Sequence, residues 1–484
     1  MPLLFDTISW CQKTEANEIN EDLGEYVSMK TESWLQCIFP SCGKKYDITE
    51  RRTACDCGEL LDVRYKGVFP KSLKETFSQR LNHKQNIFNE SGVWRFRELL
   101  NFAGVDTENY DDYSNKLVSL DGAEGRTKPF HLTRVADYVG LKTSNFWLQF
   151  EGDNPTGSFK DNGMASAFTH ARMVGAKKVV CASTGNTSSS AAAFAANELD
   201  MQAVILVGEG KIAKGKLAQS LAYGAKVLQV KGDFDVAMSM VQALSRESSI
   251  YVVNSLNSFR LEGQKTMMFR LLDYLRWEVP DWIVFPGGNL GNTSAFWKAF
   301  MELYEYGWIK KKPRMAVVVA EGAPTLSDFY NKLELRWNEG SVDNSIIDDY
   351  YAEVEREGIK AKTKASAIEI LKPVNLKKAL RTLEFTNGVV TTVSDEAIMD
   401  AMAMVSKNGF GCEPASAATV AGTKKLVEHE IIGADETVVG IATGHILKDV
   451  TAIVDYHFNP KNRFANTPIT VEPDVKEILR LANS

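Results

Sequence analysis

From about residue 146 onward, short and continuously apolar runs alternate with longer segments that are amphipathic or rich in alanine. The apolar runs predict strands at Phe146–Phe150, Lys178–Ala182, Gln202–Val207, Lys226–Val230, Tyr251–Asn254, Trp282–Phe285, Met315–Ala320 and Val438–Ala442. The segments between them predict helices, among them Asp161–Val174, Ser188–Glu198, Ala213–Ala222 and Ser294–Tyr306. Strands that are apolar throughout are typical of parallel sheets covered by helices on both faces. The pattern therefore predicts an α/β fold with two doubly wound parallel-sheet domains.

The part of the chain before these strands differs in composition and in its pattern of apolar residues. Residues 1–30 are polar, residues 31–66 predict a small cysteine-rich β-ribbon, and an aromatic-rich helical stretch follows to about residue 105. We therefore divide the chain into an N-terminal region (1–105: leader, cysteine ribbon and helical arm), a large α/β domain (106–165 and 275–484) and a small α/β domain (166–274). The acidic run Glu339–Glu357 is interpreted as a solvated insertion or a helix face.

Composition limits the classes of partner. Among 484 residues, 56 are Lys or Arg and 62 are Asp or Glu, which gives a net charge of −6. A mildly acidic chain has no overall attraction for nucleic acid or anionic lipid, so we expect neither as a partner. No apolar run approaches the roughly 18 residues of a membrane helix, and the acidic N-terminus is unlike a targeting signal. We expect a cytoplasmic protein, in which any anion site must be built from local geometry.

Four of the seven cysteines form a cluster in the sequence. Cys37 and Cys42 precede one glycine, and Cys55 and Cys57 precede another. Two Cys-Gly turns about a dozen residues apart are typical of a tetrahedral thiolate site for zinc. Cys-x-Cys leaves little room for both sulfurs on one ion, so a metal-free ribbon is the alternative interpretation.

Ligands of α/β proteins bind beyond the carboxyl ends of the strands, and three loops there carry chemistry. In the first, Pro155 and Gly157 form a tight turn that places Lys160 at the start of a helix. The positive end of the helix dipole lowers the pKa of a lysine there, as a Schiff-base lysine requires. The structural alternative is a surface lysine after a turn.

The second loop, Ser183–Ser190, offers free amides and hydroxyls at the start of a helix and is suited to a carboxylate. The third, Pro286–Thr293, contains three glycines before a helix, which lets the backbone close around a phosphate. An extended helix cap and a tight turn are the structural alternatives for these two loops. Together, the three loops describe pyridoxal phosphate bound to an amino acid.

The loops resemble the fold type II family of pyridoxal-phosphate enzymes, and within it the threonine synthase family. The resemblance rests on Asn154-Pro-Thr-Gly-Ser-Phe-Lys160-Asp, on Asn254-Ser255-Leu-Asn257-Ser-Phe-Arg260-Leu-Glu262 and on Ala442-Thr443-Gly444-His445. It runs from about residue 35 to 460. It implies a lyase of threonine biosynthesis that removes phosphate from O-phosphohomoserine by γ-elimination and adds water at the β-carbon. It also implies a homodimer.

The resemblance implies a role for each matching residue. Lys160 would carry the cofactor as a Schiff base and move protons. The other cofactor-binding residues would be Asn186, Gly287, Gly288, Asn289, Leu290, Gly291, Asn292 and Thr443. The substrate carboxylate would meet Ser183, Thr184 and Thr187, and its phosphate would meet Ser255, Asn257 and Arg260.

Two departures from the family pattern leave alternatives open. The loop Glu124–Pro129 carries Arg126 in place of asparagine with one inserted residue, and Asn162 replaces an arginine. Cysteate synthase, which uses phosphoserine and sulfite, is the main alternative, together with other fold type II replacement and elimination enzymes. A zinc-ribbon interaction module on an inactive scaffold is the non-enzymatic alternative.

Overall fold

The computed structural model describes residues 31–82, 85–183, 185–198, 200–208, 214–232, 234–245 and 250–483. The polar leader, residues 1–30, therefore lies outside the described residues. The strands in chain order are β1 (Glu32–Cys37), β2 (Lys45–Asp47), β3 (Leu61–Lys66), β4 (Pro129–Phe130), β5 (Phe146–Phe150), β6 (Lys178–Ala182), β7 (Gln202–Gly208), β8 (Lys226–Val230), β9 (Tyr251–Val252), β10 (Trp282–Pro286), β11 (Arg314–Ala320), β12 (Val389–Val393) and β13 (Val438–Ala442).

From β5 to β11, single α-helices connect successive strands, and at other places in the chain two or more helices follow one another. They are α1 (Leu73–Arg80), α2 (Ile87–Glu90), α3 (Tyr110–Lys116), α4 (Thr133–Val139), α5 (Lys160–Met173), α6 (Asn186–Asn197), α7 (Lys214–Ala222), α8 (Phe234–Leu244), α9 (Ser258–Tyr274), α10 (Gly291–Glu305), α11 (Thr325–Ser327), α12 (Asn344–Glu357), α13 (Leu376–Phe385), α14 (Asp395–Ser406), α15 (Pro414–Glu428), α16 (Val450–His457) and α17 (Val475–Ala482). Short 3-10 segments include Trp94–Ala103 and Ile446–Asp449. Of the described helices, none has the length and apolar character needed to cross a membrane.

The larger sheet has six strands in the order β12-β11-β10-β13-β5-β4, all parallel except the β4–β5 pair. Successive residues of a strand point to opposite faces, and both faces are buried. In β10, Ile283 and Phe285 pack into one core with α9 and α10, whereas Trp282 and Val284 pack into another with α14 and α15. Helices on both faces explain why these strands are apolar throughout.

The smaller sheet has four parallel strands in the order β8-β7-β6-β9. One face packs into the same core as α5 and α9, and the other packs on α8. The N-terminal ribbon is an antiparallel sheet with the order β2-β1-β3. The α/β fold with two parallel sheets and a cysteine ribbon is thus confirmed, while the exact domain boundaries stay a prediction.

The structure differs from the predicted elements in a few places. Strand β9 ends at Val252 instead of Asn254, because the Asn254 side chain bonds both the N–H and the C=O of Ala182 in place of the ladder. Strands β4 and β12 were not predicted. The acidic run forms α12, in which Val354 is the one buried residue among those described.

Candidate active site

A cavity of about 590 Å³ is lined by residues that directly follow strands of both parallel sheets. Ser183 follows β6, Asn254 follows the short β9, Gly288 follows β10 and Thr443 follows β13. The cavity thus lies at the carboxyl ends of the strands, where α/β folds bind their ligands.

Lys160 faces this cavity from the first turn of α5. The turn before it is held at both ends. Phe159 donates its N–H to the Thr443 carbonyl at 3.0 Å, and Thr156 donates its N–H to the Asp161 carboxylate at 2.8 Å. Burial, reinforced by the Arg260 guanidinium, lowers the pKa of the Lys160 amine to about 7. A large fraction of the amine is therefore neutral and nucleophilic near neutral pH.

The loop after β6 places Ser183, Gly185, Asn186 and Thr187 in the cavity wall, while Thr184 lies outside the described residues. Ser183 Oγ accepts the Gly185 N–H at 3.1 Å, so its own hydroxyl hydrogen remains available to donate. Helix α6 begins at Asn186, which adds the positive end of its dipole to the wall.

The glycine loop after β10 lines the opposite part of the cavity from Gly288 to Asn292. Gly287 lies beneath it, and an added Cβ there would be 2.6 Å from Val317 Cγ1. Leu290 has a left-handed φ of 62°, and α10 begins directly after it. The first amides of a 15-residue helix thus border the cavity, an arrangement suited to a phosphate.

Arg260 lies in the first turn of α9 and is 2% exposed. Its Nη1 donates to the Val253 carbonyl at 3.0 Å. Within the described part of the chain, its Nε has no hydrogen-bond partner, and neither has the buried Ser255 Oγ. Burial lowers the pKa of Arg260 to about 10, which still leaves it charged at neutral pH. A buried cation beside an unsatisfied hydroxyl is a site for an anionic ligand.

Asn257 was expected to meet the substrate phosphate, but its side chain makes its hydrogen bonds to the backbone. Its Oδ1 accepts the Phe259 N–H at 2.9 Å and its Nδ2 donates to the Val252 carbonyl at 2.7 Å. Both ends of the amide are thus occupied, one in capping α9 and the other in a bond to the last residue of β9. Asn257 fixes the start of the helix that carries Arg260 and is not among the described residues that line the cavity.

Glu413 and Lys448 also line the cavity and were not predicted. Glu413 accepts two hydrogen bonds from Asn186 Nδ2, at 2.9 and 3.1 Å, and burial raises the pKa of its carboxyl. Lys448 Nζ donates to the Thr156 carbonyl at 3.0 Å and to Gln219 Oε1. The cavity therefore holds a buried carboxyl group that is bonded to Asn186 and interacts electrostatically with Lys448 and Lys160.

Asn375 forms hydrogen bonds to two loops that line the cavity, one after β9 and one after β10. Its Nδ2 donates to the Ser255 carbonyl and to the Asn289 carbonyl, both at 3.1 Å. The first carbonyl follows β9 of the smaller sheet, and the second belongs to the glycine loop of the larger sheet. One buried amide thus connects the two sheets at the cavity.

A family model described as "Pyridoxal-phosphate dependent enzyme" matches residues 120–444. A curated threonine synthase of Methanocaldococcus jannaschii is 40% identical over 92% of this chain and 98% of its own length. The chain belongs to the threonine synthase family of pyridoxal-phosphate dependent enzymes. Further relatives are the threonine synthase of Methanosarcina acetivorans (37% identical, 87% of this chain and 93% of its own) and the chloroplastic threonine synthase 2 of Arabidopsis thaliana (34% identical, 90% of this chain and 81% of its own).

The family membership confirms the fold type II architecture and the pyridoxal-phosphate cofactor predicted from the three loops. Escherichia coli threonine synthase superposes with a TM-score of 0.61 over 92% of this chain and 94% of its own, at 15% identity. A fungal L-serine ammonia-lyase from Rhizomucor miehei superposes with a TM-score of 0.54 over 68% of this chain and 96% of its own, at 18% identity. At such identities the superpositions show the fold alone.

The residues of this threonine synthase family member fit the cofactor. The Asn292 side chain ends in a buried Oδ1 for which the described residues supply no partner. An added Cβ on Gly288 would be 3.1 Å from the Ala367 carbonyl oxygen, so the backbone approaches closely here and leaves little room for a side chain. Thr443 Oγ1 lies 3.0 Å from Ser416 Oγ, which fixes the position of a neutral hydroxyl in the cavity wall.

The cavity brings together most of the predicted site residues. They are Lys160, Ser183, Asn186, Thr187, Ser255, Arg260, Gly288, Asn289, Leu290, Gly291, Asn292 and Thr443. Gly287 supports the loop from below, and the four ribbon cysteines lie together at a separate place. The individual roles of these residues stay predictions.

The departures from the family pattern have structural partners. Arg126 forms an ion pair with Glu90 at 2.5 Å and donates to the Gly122 carbonyl. Asn162 donates to Glu151 Oε2 at 2.8 Å, and Glu151 is paired with Arg270. Neither departure places a charge among the described residues that line the cavity.

Of the unpredicted residues Lys448 and Glu413, the first could have been found from the sequence and the second could not. Lys448 is in the loop after β13, five residues beyond Thr443, so the rule that ligands lie after strands could have found it. Glu413 comes directly before Pro414 at the start of α15. Its sequence position is typical of a helix start, and only the folded chain brings it beside Asn186.

Proposed function

We propose that this threonine synthase family member converts O-phospho-L-homoserine into L-threonine, by γ-elimination of phosphate and addition of water at the β-carbon. Curated relatives at 34–40% identity carry the name threonine synthase. The observation that carries the proposal is Arg260, a buried guanidinium that lines the same cavity as Ser255 and has no carboxylate partner among the described residues. A second anion site, in addition to the glycine loop, is what a phosphorylated substrate needs.

Arg260 suits a phosphate dianion because its planar fork can donate two parallel hydrogen bonds. The Nε, which is free of described partners, is one of these donors. Ser255 Oγ adds a hydroxyl donor from the preceding loop. The charge of Arg260 also makes phosphate a better leaving group, because it neutralises the charge that develops on the departing oxygens.

The cofactor would be held by Lys160, Asn186, the glycine loop Gly287–Asn292 and Thr443. When bound, pyridoxal phosphate supplies the electron sink that makes hydrogens of the substrate acidic. The uncharged hydroxyl of Thr443 would hydrogen-bond the pyridine nitrogen without fixing a full positive charge on it, as a carboxylate would.

Lys160 is suited to moving the protons of the reaction. With a pKa of about 7, its amine accepts a proton and returns it at little cost near neutral pH. Burial lowers this pKa most, Arg260 lowers it further and the Glu413 carboxylate raises it, and together they bring the amine near its working range.

The substrate carboxylate would be bound by Ser183, Thr184 and Thr187 at the start of α6. Ser183 has a hydroxyl hydrogen to donate, and the helix dipole favours the negative charge. Carboxylate at one wall and phosphate at Arg260 fix both ends of the substrate, which leaves its β-carbon between them for the attacking water.

The experiment is an assay of phosphate release and threonine formation from O-phosphohomoserine by the pyridoxal-phosphate-loaded protein. We expect stoichiometric phosphate and threonine. Phosphate release from O-phosphoserine and sulfite, without activity on O-phosphohomoserine, would show a cysteate synthase and refute the proposal. A colourless protein that binds no cofactor would instead favour an inactive scaffold.

The homodimer and the cytoplasmic location belong to the same proposal. The homodimer rests on the family resemblance, and the location rests on the odd number of cysteines, seven, which suits a reducing compartment. Light scattering of the holoenzyme is expected to give twice the mass of the chain, and a fluorescent fusion is expected to be distributed through the cytoplasm.

A further inference from the structure

The N-terminal ribbon gathers four cysteine sulfurs around one point. Cys37 Sγ lies 3.6 Å from Cys57 Sγ, and Cys42 Sγ lies 3.6 Å from Cys55 Sγ. All four sulfurs lie within 4.8 Å of one another. Zinc–sulfur bonds of about 2.3 Å in a tetrahedron place neighbouring sulfurs roughly 3.8 Å apart. The four thiols therefore already occupy positions close to the corners of a zinc tetrathiolate.

The backbone of both turns supports this arrangement. Gly43 follows Cys42 with a φ of 57°, and Gly58 follows Cys57 with a φ of 89°. Both conformations are left-handed and favour glycine. The Gly43 N–H bonds the Phe39 carbonyl, and the Gly58 N–H bonds the Cys55 carbonyl. Each turn is thus closed by a backbone hydrogen bond, and each contributes one pair of sulfurs to the shared centre.

We propose that Cys37, Cys42, Cys55 and Cys57 bind one Zn²⁺ ion as thiolates. Each thiol releases its proton when the metal binds. Four thiolates in a tetrahedron select zinc or iron among the common metals. A site closed by four protein ligands has no open position for a substrate, which is the pattern of structural zinc. Zinc in this ribbon therefore stabilises structure and takes no part in the reaction.

The surroundings of the cluster fit a site that carries negative charge. Tyr46 Oη lies 3.1 Å from Cys55 Sγ and accepts the Asp56 N–H at 2.9 Å, so its hydroxyl hydrogen can be donated to the sulfur. A hydrogen bond from outside the ligand set tunes and orients a metal thiolate. The Arg52 guanidinium lies 4.1 Å from the centre of the Tyr46 ring and is paired with Glu50 and Asp56, both at 2.6 Å, so it packs against the ring that carries this hydroxyl.

The metal would hold a ribbon that contacts the catalytic body. Asp62 on β3 is paired with Arg381 at 2.8 Å and with Lys378 at 2.9 Å, both on α13. Ser258, at the start of α9, donates to the Leu61 carbonyl at 2.5 Å. Strand β3 thus supports the first turn of the helix that carries Arg260. A zinc ion would fix this strand through Cys55 and Cys57, which precede it.

The test is the metal content of the purified holoenzyme, measured by plasma mass spectrometry with Cys57→Ser as the variant and Cys181→Ala as the matched control. Cys57 is the exposed member of the cluster, so its replacement disturbs folding least, while Cys181 is buried in β6 outside the cluster. We expect about one zinc per chain in the wild type and in Cys181→Ala, and at least a tenfold loss in Cys57→Ser.

A second measurement on the wild type keeps the proposal testable if the variant fails to fold. A mercurial reagent titrates the thiols while a metal-sensitive dye reports released zinc. We expect one zinc to be released as four thiols react. Iron in place of zinc, free cysteines without metal, or a chain mass that shows two disulfides would each overturn the proposal.

Discussion

Replacement of Arg260 by methionine tests whether this buried cation binds a ligand or stabilises the fold. Methionine is unbranched and uncharged, so Arg260→Met removes the charge and keeps most of the buried apolar contact. Two hydrogen bonds to a charged phosphate contribute about 1.5–3 kcal/mol each. We therefore expect kcat/KM for O-phosphohomoserine to fall roughly 10²- to 10⁴-fold at saturating cofactor.

The stability of the apoprotein should change in the opposite direction. A lowering of the Arg260 pKa from its ordinary value to about 10 means that burial disfavours the folded cation by roughly 3 kcal/mol. At neutral pH the group is protonated in both the folded and the unfolded state, so this cost is fully present. After loss of the hydrogen bond to Val253, worth about 1 kcal/mol, we expect Arg260→Met to raise the free energy of unfolding by about 1–2 kcal/mol.

Arg381→Met is the matched control, because Arg381 is equally buried but paired with Asp62. Breaking this pair leaves Asp62 with Lys378 as its remaining cationic partner among the described residues. It should cost about 1.5–3 kcal/mol of stability, the contribution of a hydrogen bond to a charged group, with kcat/KM changed by less than about threefold. Denaturant titration and steady-state kinetics measure both quantities. The reasoning is refuted if Arg260→Met retains kcat/KM within threefold of the wild type, or if it loses as much stability as Arg381→Met.

Three further predictions concern the cofactor site. The rate at which apoprotein takes up pyridoxal phosphate should rise with pH around a midpoint near 7, since the neutral Lys160 amine is the nucleophile. Stopped-flow absorbance measures this rate. A midpoint near the ordinary lysine pKa of about 10.4 would contradict the prediction. Glu413→Gln removes a charge that raises the pKa of Lys160, so the same midpoint should move down. An unchanged midpoint would contradict this electrostatic effect of Glu413 on Lys160. Gly287→Ala places a Cβ 2.6 Å from Val317 Cγ1 and should cost about 1–3 kcal/mol in thermal unfolding. Gly433→Ala, with 3.5 Å to its nearest atom, is the control, and equal losses in both variants would be evidence against crowding at Gly287.

The sequence predicted the strands well where they are apolar throughout and buried on both faces. Strand β12 was missed because Val389–Val393 contains two threonines and lies at the edge of its sheet, paired on one side with β11. Strand β4 has only two residues and owes its existence to pairing with β5. Both depend on a neighbour that is distant in the sequence, so local pattern carries little information about them.

The same distinction applies to the site. Lys160 and the glycine loop were found because their chemistry is contained in one short segment after a strand. Asn257 precedes a helix, and its residue type suits a cap as well as a ligand, so the sequence could not separate the two uses. Glu413 reaches Asn186 across 227 positions of sequence. A contact of that kind is decided by the packing of the two sheets.

The single amide of Asn375 has a consequence for substrate choice. It joins the carbonyl of Ser255, beside the proposed phosphate site of Arg260, to the carbonyl of Asn289 in the glycine loop. The two hydrogen bonds of Asn375 thereby hold the glycine loop and the Arg260 site at a fixed distance from each other. This distance determines how long a substrate must be for its phosphate to reach Arg260. We expect the cavity to reject an amino acid that is one methylene shorter, even though phosphoserine carries the same charges as phosphohomoserine. The enzyme would then select its substrate by the length of the carbon chain.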